Sequence, residues 1–163
     1  MRIFTSASGK SIYRGYDYFL NDKVSQLIKI SDAEYEAFVQ GSEEKPYKVH
    51  LNINKPKTSA CDCPFANGRR ICKHMMAVYF TAFPDEAERY KRQLEEYEAE
   101  EEQREQEFEE LCEFLKEFRI ERAGVFPYSP EEDTIAAEMD GQLDDETKQH
   151  RADIIMEQQM IVA

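Results

Sequence analysis

Residues 61–74, CDCPFANGRRICKH, are the feature that most constrains how this chain folds. They hold three of the four cysteines and one of the three histidines of a 163-residue sequence. These side chains form two close pairs, Cys61 with Cys63 and Cys72 with His74, in the pattern C-x-C-x8-C-x-H. Thiolate and imidazole are ligands that zinc prefers, and a structural zinc site takes four of them in tetrahedral geometry.

The chain between the pairs can bring them together. Pro64 interrupts the alternation of a strand directly after Cys63, and Asn67-Gly68 supplies a turn that can reverse the chain. The second pair opens the apolar stretch MMAVYFTAF, which predicts a helix. Four protein ligands leave no open position for a substrate or an activated water. We therefore predict a structural Zn²⁺ site with the ligands Cys61, Cys63, Cys72 and His74.

Three other interpretations compete with zinc. Ordinary buried cysteines do not explain two tight pairs of ligand-type residues. A redox pair at Cys61 and Cys63 would have C-x-C rather than C-x-x-C spacing, and would leave Cys72 and His74 unexplained. An iron–sulfur cluster needs a fourth cysteine nearby, whereas Cys112 lies forty residues beyond Cys72. Zinc is the interpretation that uses all four residues.

The first 84 residues predict a compact α+β unit. SIYRGYDYFLNDK places Ile12, Tyr16 and Phe19 near one face of a short helix that stops at Asn21-Asp22. VSQLIKIS, AEYEAFVQ and KPYKVHLNI then alternate apolar and polar residues, which indicates three antiparallel strands in a meander. The zinc segment and its closing helix, ended by Pro84, follow.

Residues 85–118 contain no Gly or Pro and predict one long acidic helix. Its apolar residues recur in steps of three and four, which is compatible with a coiled coil. We favour a single amphipathic helix, roughly 50 Å long at 1.5 Å per residue, folded back on its own chain. In residues 119–163, AGVFPYS predicts a short strand and the stretch from about Asp144 to Val162 predicts a final helix. The domain prediction is therefore 1–84, 85–118 and 119–163.

Charge divides the chain in the same way. Residues 1–84 hold 12 Lys and Arg against 8 Asp and Glu, residues 85–117 hold 5 against 15, and residues 118–163 hold 4 against 11. The net charge of −13 therefore comes from residues 85–163, whereas residues 1–84 carry a net positive charge. No run of 18 apolar residues and no signal-peptide core is visible, so we expect a protein without a membrane span, located in the cytoplasm. In that reducing compartment clustered cysteines favour a metal.

The pattern of Cys61, Cys63, Cys72 and His74 resembles the ligand pattern of the SWIM-type zinc finger. KSIYRGYDYFLNDKVSQLIKI is similar to the lead-in of bacterial SWIM proteins, and KHMMAVYF is similar to their closing helix, so the resemblance covers about residues 8–83. It implies a ββα zinc fold and a role in binding nucleic acid or protein, often beside helicase-like ATPases or transposases. It does not imply catalysis.

A second resemblance begins at Phe108. GVFPYSPEEDT and DETKQHRADIIMEQQ are similar to the end of the radical-SAM barrel in methylthiotransferases that modify a ribosomal protein. Those enzymes bind their catalytic cluster through C-x-x-x-C-x-x-C, a spacing that this sequence does not contain. We also expect the preceding domains, most of the barrel and the RNA-binding domain of those enzymes to be absent. We hypothesise a chimera, made by a genome event or an assembly error, joined within the Glu-rich run EAEEEQREQEFEE.

The functional expectation is a non-catalytic zinc module that binds nucleic acid, DNA more than RNA, with protein contacts made by the long helix. A helicase-like ATPase is one expected protein partner. The alternatives are a protein related to radical-SAM methylthiotransferases and a pure protein-interaction adaptor. The predicted nucleic-acid contacts are cations around the zinc segment and one aromatic ring: Lys55, Lys57, Phe65, Arg69, Arg70 and Lys73.

Overall fold

The computed structural model describes residues 2–67, 70–120, 123–131, 134–139 and 141–162. The chain divides into two compact units, Met1–Glu95 and Glu96–Ala163. The fold is mixed helix and sheet, as the sequence predicts, with an N-terminal helical region, a four-stranded antiparallel sheet and then a long helix.

The first unit contains the elements α1 (Arg2–Ser6), α2 (Gly9–Leu20), β1 (Val24–Lys29), β2 (Glu34–Val39), β3 (Tyr47–Asn52), β4 (Ala60–Cys61) and α3 (Lys73–Ala82). The strands pair in the order β1-β2-β3-β4. Each pairs antiparallel with the next, so the predicted meander is confirmed and is extended by the two-residue β4. Short 3₁₀ turns occupy Pro56–Thr58 and Pro64–Ala66.

The predicted helix with Ile12, Tyr16 and Phe19 on one face is α2. Ser8 caps its N-terminus, where the Ser8 side chain accepts a hydrogen bond from the backbone N–H of Ser11. Asn21 caps its C-terminus as predicted. Tyr16 is buried and the other two pack partly buried against the core.

Helix α3 forms the centre of this unit. Met75, Met76, Val78, Tyr79 and Phe80 are all buried, because α3 contacts α2 as well as β1, β2 and β3. A helix that is apolar on every side needs such neighbours on all sides. The start of α3 is therefore held firmly beside the sheet.

Helix α4 (Pro84–Glu117) confirms the predicted long acidic helix. Its first turns belong to the first unit, because Ala87 is buried and Tyr90 and Leu94 pack against the core. The compact unit therefore extends to Glu95. The division into 1–84, 85–118 and 119–163 stays a prediction.

The second unit has a small apolar core between α4 and α5 (Asp145–Val162). Cys112, Leu115 and Ile155 are buried there, with Phe108 and Ile154 packed against them. The second half of α4 thus packs against its own chain, and a coiled coil with another chain stays a prediction. Among the described residues no helix is long and apolar enough to cross a membrane.

The strand predicted for AGVFPYS does not form. Residues 123–131 have no regular secondary structure, and no strand occurs elsewhere in the described part of the second unit. A strand needs a hydrogen-bonded neighbour, and α4 and α5 offer none. Local alternation of apolar residues was not enough to define an element here.

Candidate metal centre and adjoining cleft

Three elements position the four predicted ligands. Cys61 ends β4, where it pairs with Val49 of β3. Cys63 precedes the 3₁₀ turn Pro64–Ala66, whose first residue cannot continue the strand ladder. Cys72 is the N-cap of α3, and His74 lies in its first turn. The hairpin and the buried helix thus bring both pairs to one point.

The ligand atoms of the four residues all lie within 4.8 Å of one another. The Cys61 Sγ is 3.7 Å from the His74 Nδ1. Sulfurs in a tetrahedral zinc site with Zn–S bonds of about 2.3 Å lie about 3.8 Å apart, so zinc would require only a small contraction. Cys63, Cys72 and His74 are buried and Cys61 is half-buried. All four cysteines of the chain are free thiols.

The thiols of the site change one another's pKa. A hydrogen bond with Cys61 and the neighbouring His74 lower the pKa of Cys72 to about 4, against the opposing effect of its burial. The same hydrogen bond, together with burial, raises the pKa of Cys61. Burial and the charge of Cys72 raise the pKa of Cys63. A single thiolate is therefore stable among these three cysteines. Three thiolates repel one another and need a cation to compensate their charge, and a divalent metal supplies such a cation.

The His74 ring is held by its neighbours. Tyr47 stacks on it, with ring centroids 4.6 Å apart and an interplanar angle of 26°. A Cβ atom at Gly41 would lie 3.3 Å from the His74 Nε2 and would overlap the Tyr47 ring. With Nε2 on the Gly41 side, the nitrogen near Cys61 is Nδ1, so Nδ1 is the atom placed to ligate a metal. The Nε2 has no hydrogen-bond partner among the described residues.

A cleft of about 440 Å³ opens beside this centre. Its lining includes three of the predicted ligands, Cys63, Cys72 and His74. The start of α2, the loop before β3, the 3₁₀ turn after Cys63 and the start of α3 all contribute walls to it. The cleft therefore shares three lining residues with the candidate metal centre.

The structure brings three of the predicted nucleic-acid contacts together. Phe65 and Lys73 line the cleft, and Phe65 is 52% exposed. The Arg70 guanidinium carbon lies 6.0 Å from the Phe65 ring centroid. The Lys73 Nζ donates a hydrogen bond of 2.6 Å to the Tyr18 hydroxyl and lies 4.3 Å from the centroid of that ring.

The remaining predicted contacts do not line this cleft. Lys55 and Lys57 are exposed at the turn between β3 and β4. That turn follows Asn52. The cleft and the predicted ligands lie at the other end of the hairpin, where Cys61 pairs with Val49. Arg69 lies outside the described residues.

Sequence reasoning missed two cations of the cleft, Lys10 and Arg14. Both line it from the first turns of α2. Their spacing of four residues already places them on one helix face. What the sequence did not show is that this face lies next to the zinc segment, because that depends on how α2 packs on α3.

Comparison with known proteins supports both resemblances. Residues 47–83 match the family model of the SWIM zinc finger. The matched range contains β3, β4, all four ligands and α3, which is the ββα part of the first unit. The segment before residue 47, which we also compared with SWIM proteins, lies outside the match.

The chain is also similar to proteins named ribosomal protein uS12 methylthiotransferase RimO. The relative from Clostridium botulinum is 49% identical over 51 residues, covering 31% of this chain and 11% of the relative. That from Bdellovibrio bacteriovorus is 47% identical over 58 residues, covering 36% and 13%. That from Wolinella succinogenes is 60% identical over 40 residues, covering 24% and 9%. The chain thus spans about a tenth of the length of these relatives. No solved structure matches it.

Proposed function

We propose that this chain is a zinc-binding module that binds nucleic acid, DNA before RNA, and is not an enzyme. The observation that carries the proposal is the Phe65–Arg70 pair on the loop between the two ligand pairs. An exposed ring beside a guanidinium offers a stacking face and a phosphate-binding charge at one place. The match to the SWIM zinc finger supports a zinc-organised loop at this position.

The ligand set supports a structural and not a catalytic metal. Cys61, Cys63, Cys72 and His74 fill the four positions of a tetrahedral zinc ion, so no coordination position is left for substrate. Zinc would fix the two ends of the loop that carries Phe65 and Arg70. Ordering that loop before binding lowers the entropic cost of each contact it makes.

The distribution of charge supports the same location for nucleic acid. The first unit, residues 1–95, holds 15 Lys and Arg against 12 Asp and Glu, whereas residues 96–163 hold 6 against 22. Phosphates are repelled by the second set of residues. The first unit is therefore the part of the chain that suits a polyanion.

The proposal is tested by fluorescence anisotropy with labelled DNA and RNA oligonucleotides of mixed sequence, using the zinc-loaded chain. We expect weak binding that falls steeply between about 20 mM and about 200 mM salt, because phosphate contacts release counterions. Phe65→Ala and Arg70→Ala should each weaken binding. Lys29→Ala is the matched control, since Lys29 is an exposed cation on β1, at the opposite edge of the sheet from β4.

A protein-interaction adaptor is the second candidate. The second unit exposes Phe126, Ile135 and Ile161, each by more than 80%. A contiguous patch of exposed apolar side chains marks a protein contact site, and these three residues are the candidates for such a patch. A helicase-like ATPase is the partner class that we propose first, from the SWIM resemblance. If the chain binds neither DNA nor RNA even at about 20 mM salt, the adaptor function replaces nucleic-acid binding.

A further inference from the structure

We propose that the cleft beside the metal centre is a binding site for single-stranded nucleic acid. One phosphate would lie near Lys10, Arg14 and Lys73, and one unpaired base would lie against Phe65. This inference rests on the proposed nucleic-acid binding and deepens it, because it names the strandedness of the ligand. It also adds α2 to the interface.

The size and shape of the cleft suit a single nucleotide unit. A volume of about 440 Å³ lies within the range of about 300–1,000 Å³ that small-molecule sites occupy. The walls come from four segments of one compact unit, so the cleft is concave and partly enclosed. A nucleotide can enter such a space when its base is free of a pairing partner.

The lining carries an excess of positive charge. Lys10, Arg14 and Lys73 contribute three cations, and Glu43 contributes one carboxylate. Lys10 and Arg14 form no ion pair with any residue that the structure describes, so their charges are not neutralised by an internal partner. Both side chains are exposed and free to turn toward a ligand.

The metal centre itself must be included in this charge balance. Zinc with three thiolates and a neutral imidazole carries one net negative charge. The three cations outweigh this charge and that of Glu43 together. Without Lys10 and Arg14 the balance would be negative, so these two residues decide whether the cleft can accept a phosphate.

Backbone and hydroxyl donors strengthen the same wall. Ser8 and Ser11 line the cleft at the first turn of α2, a helix of 12 residues. The Ser8 hydroxyl donates to the Ser11 hydroxyl at 3.0 Å, which orders the pair. The N-terminal end of a helix favours an anion, and here that end adjoins the two exposed cations Lys10 and Arg14.

Phe65 is the reason why we expect a single-stranded ligand. Its exposed ring lines the same cleft, so a base stacked on it must leave its own helical stack. Extruding a base from a duplex costs a few kcal/mol, whereas an unpaired base avoids most of that cost. Stacking of a free base on an aromatic ring tolerates any sequence. We therefore expect preference for single strands without strong base preference.

The experiment compares a labelled single strand of about 15 nucleotides with a duplex of the same sequence, on the full zinc-loaded chain. We expect the single strand to bind at least about tenfold more tightly. The double variant Lys10→Ala/Arg14→Ala should weaken single-strand binding about tenfold or more. It should also flatten the salt slope of single-strand binding by up to about 0.7, because the contact with one phosphate is lost.

The matched control is Lys23→Ala/Lys29→Ala. It removes two exposed cations from the same unit, at residues that do not line the cleft. We expect less than about a twofold change in single-strand binding from it. Zinc content and circular dichroism should be unchanged in both double variants, since all four side chains are exposed.

The outcomes separate this inference from the function on which it rests. If duplex binds as tightly as single strand, or if both double variants weaken binding equally, the cleft proposal is overturned. The proposal that the loop with Phe65 and Arg70 binds nucleic acid would still stand if Phe65→Ala and Arg70→Ala each weaken binding. If no nucleic acid binds at all, both proposals are overturned together.

Discussion

Gly15 of α2 lies directly against Met76 of α3. A Cβ atom added at Gly15 would overlap the Met76 Cβ and would lie 2.9 Å from the backbone carbonyl oxygen of Lys73. The two helices therefore cross with their backbones almost in contact. This crossing fixes the start of α2, with Lys10 and Arg14, beside the start of α3, with Lys73.

Gly15→Ala should destabilise the first unit. Overpacking a well-packed contact costs about 1–3 kcal/mol, and backbone atoms such as the Lys73 carbonyl cannot move aside as a side-chain end can. The gain in helix propensity, up to about 1 kcal/mol, offsets part of that cost. We expect a net loss of about 1 kcal/mol in the free energy of unfolding, measured by urea denaturation of the zinc-loaded chain.

Gly9→Ala is the control for that measurement. Gly9 is the first residue of the same helix, and a Cβ atom there would meet nothing within 4 Å. We expect it to be neutral or slightly stabilising. Equal stability of the two variants would show that the α2–α3 contact is looser than described.

Cys72→Ser should abolish zinc binding and unfold the first unit. Structural zinc contributes about 10–16 kcal/mol of apparent binding free energy in zinc-finger peptides, which is comparable with the total stability of about 5–15 kcal/mol of a typical domain. Elemental analysis should give one zinc per chain for the parent protein and none for the variant. Cys112→Ser, in the core of the second unit, should keep its zinc. A parent protein purified without chelator and free of zinc would refute the metal assignment.

Zinc should be released as the pH falls. In the metal-free site the pKa values of Cys61 and Cys63 are raised, so zinc binding must displace protons from these thiols. Lower pH therefore favours the protonated, metal-free form, and higher pH favours the bound form. Cys72, with its pKa lowered to about 4, should be the last thiol to protonate. A chromogenic chelator measures the release, and release that increased toward alkaline pH would contradict this coupling.

The sequence predicted five elements of the first unit, α2, β1, β2, β3 and α3, because each has a strong local pattern. It did not predict the five-residue α1 or the two-residue β4. The period of Ile12, Tyr16 and Phe19 defines α2, and the spacing of the ligands defines the metal centre. The position of Lys10 and Arg14 beside that centre depends on the crossing at Gly15, which no local pattern encodes. In the second unit the apolar residues of AGVFPYS predicted a strand, but pairing depends on a neighbour that α4 and α5 do not supply.

Arg151→Ala should loosen the second unit. The Arg151 side chain is mostly buried: its guanidinium donates a 2.8 Å hydrogen bond to Glu105 and lies 4.8 Å from the Phe108 ring centroid. Since few residues form this core, we expect the free energy of opening α5 to fall by about 1 kcal/mol. Amide hydrogen exchange of α5 measures this free energy. Arg151→Lys keeps the charge but not the planar stacking, and should lie between the parent and the alanine variant.

Removal of the acidic second unit, residues 96–163, should strengthen nucleic-acid binding by the first unit. A fragment of residues 1–95 carries a net charge of +3, whereas the whole chain carries −13. We place the end at Glu95 because Ala87, Tyr90 and Leu94 belong to the core of that unit. The fragment should bind a single strand more tightly than the whole chain at about 10 mM salt, where the Debye length is about 30 Å. The two affinities should converge at about 150 mM salt, where that length is about 8 Å. Zinc content and a cooperative unfolding transition must first show that the fragment is folded. A folded fragment that binds no better than the whole chain at low salt would show that the acidic residues do not oppose the ligand.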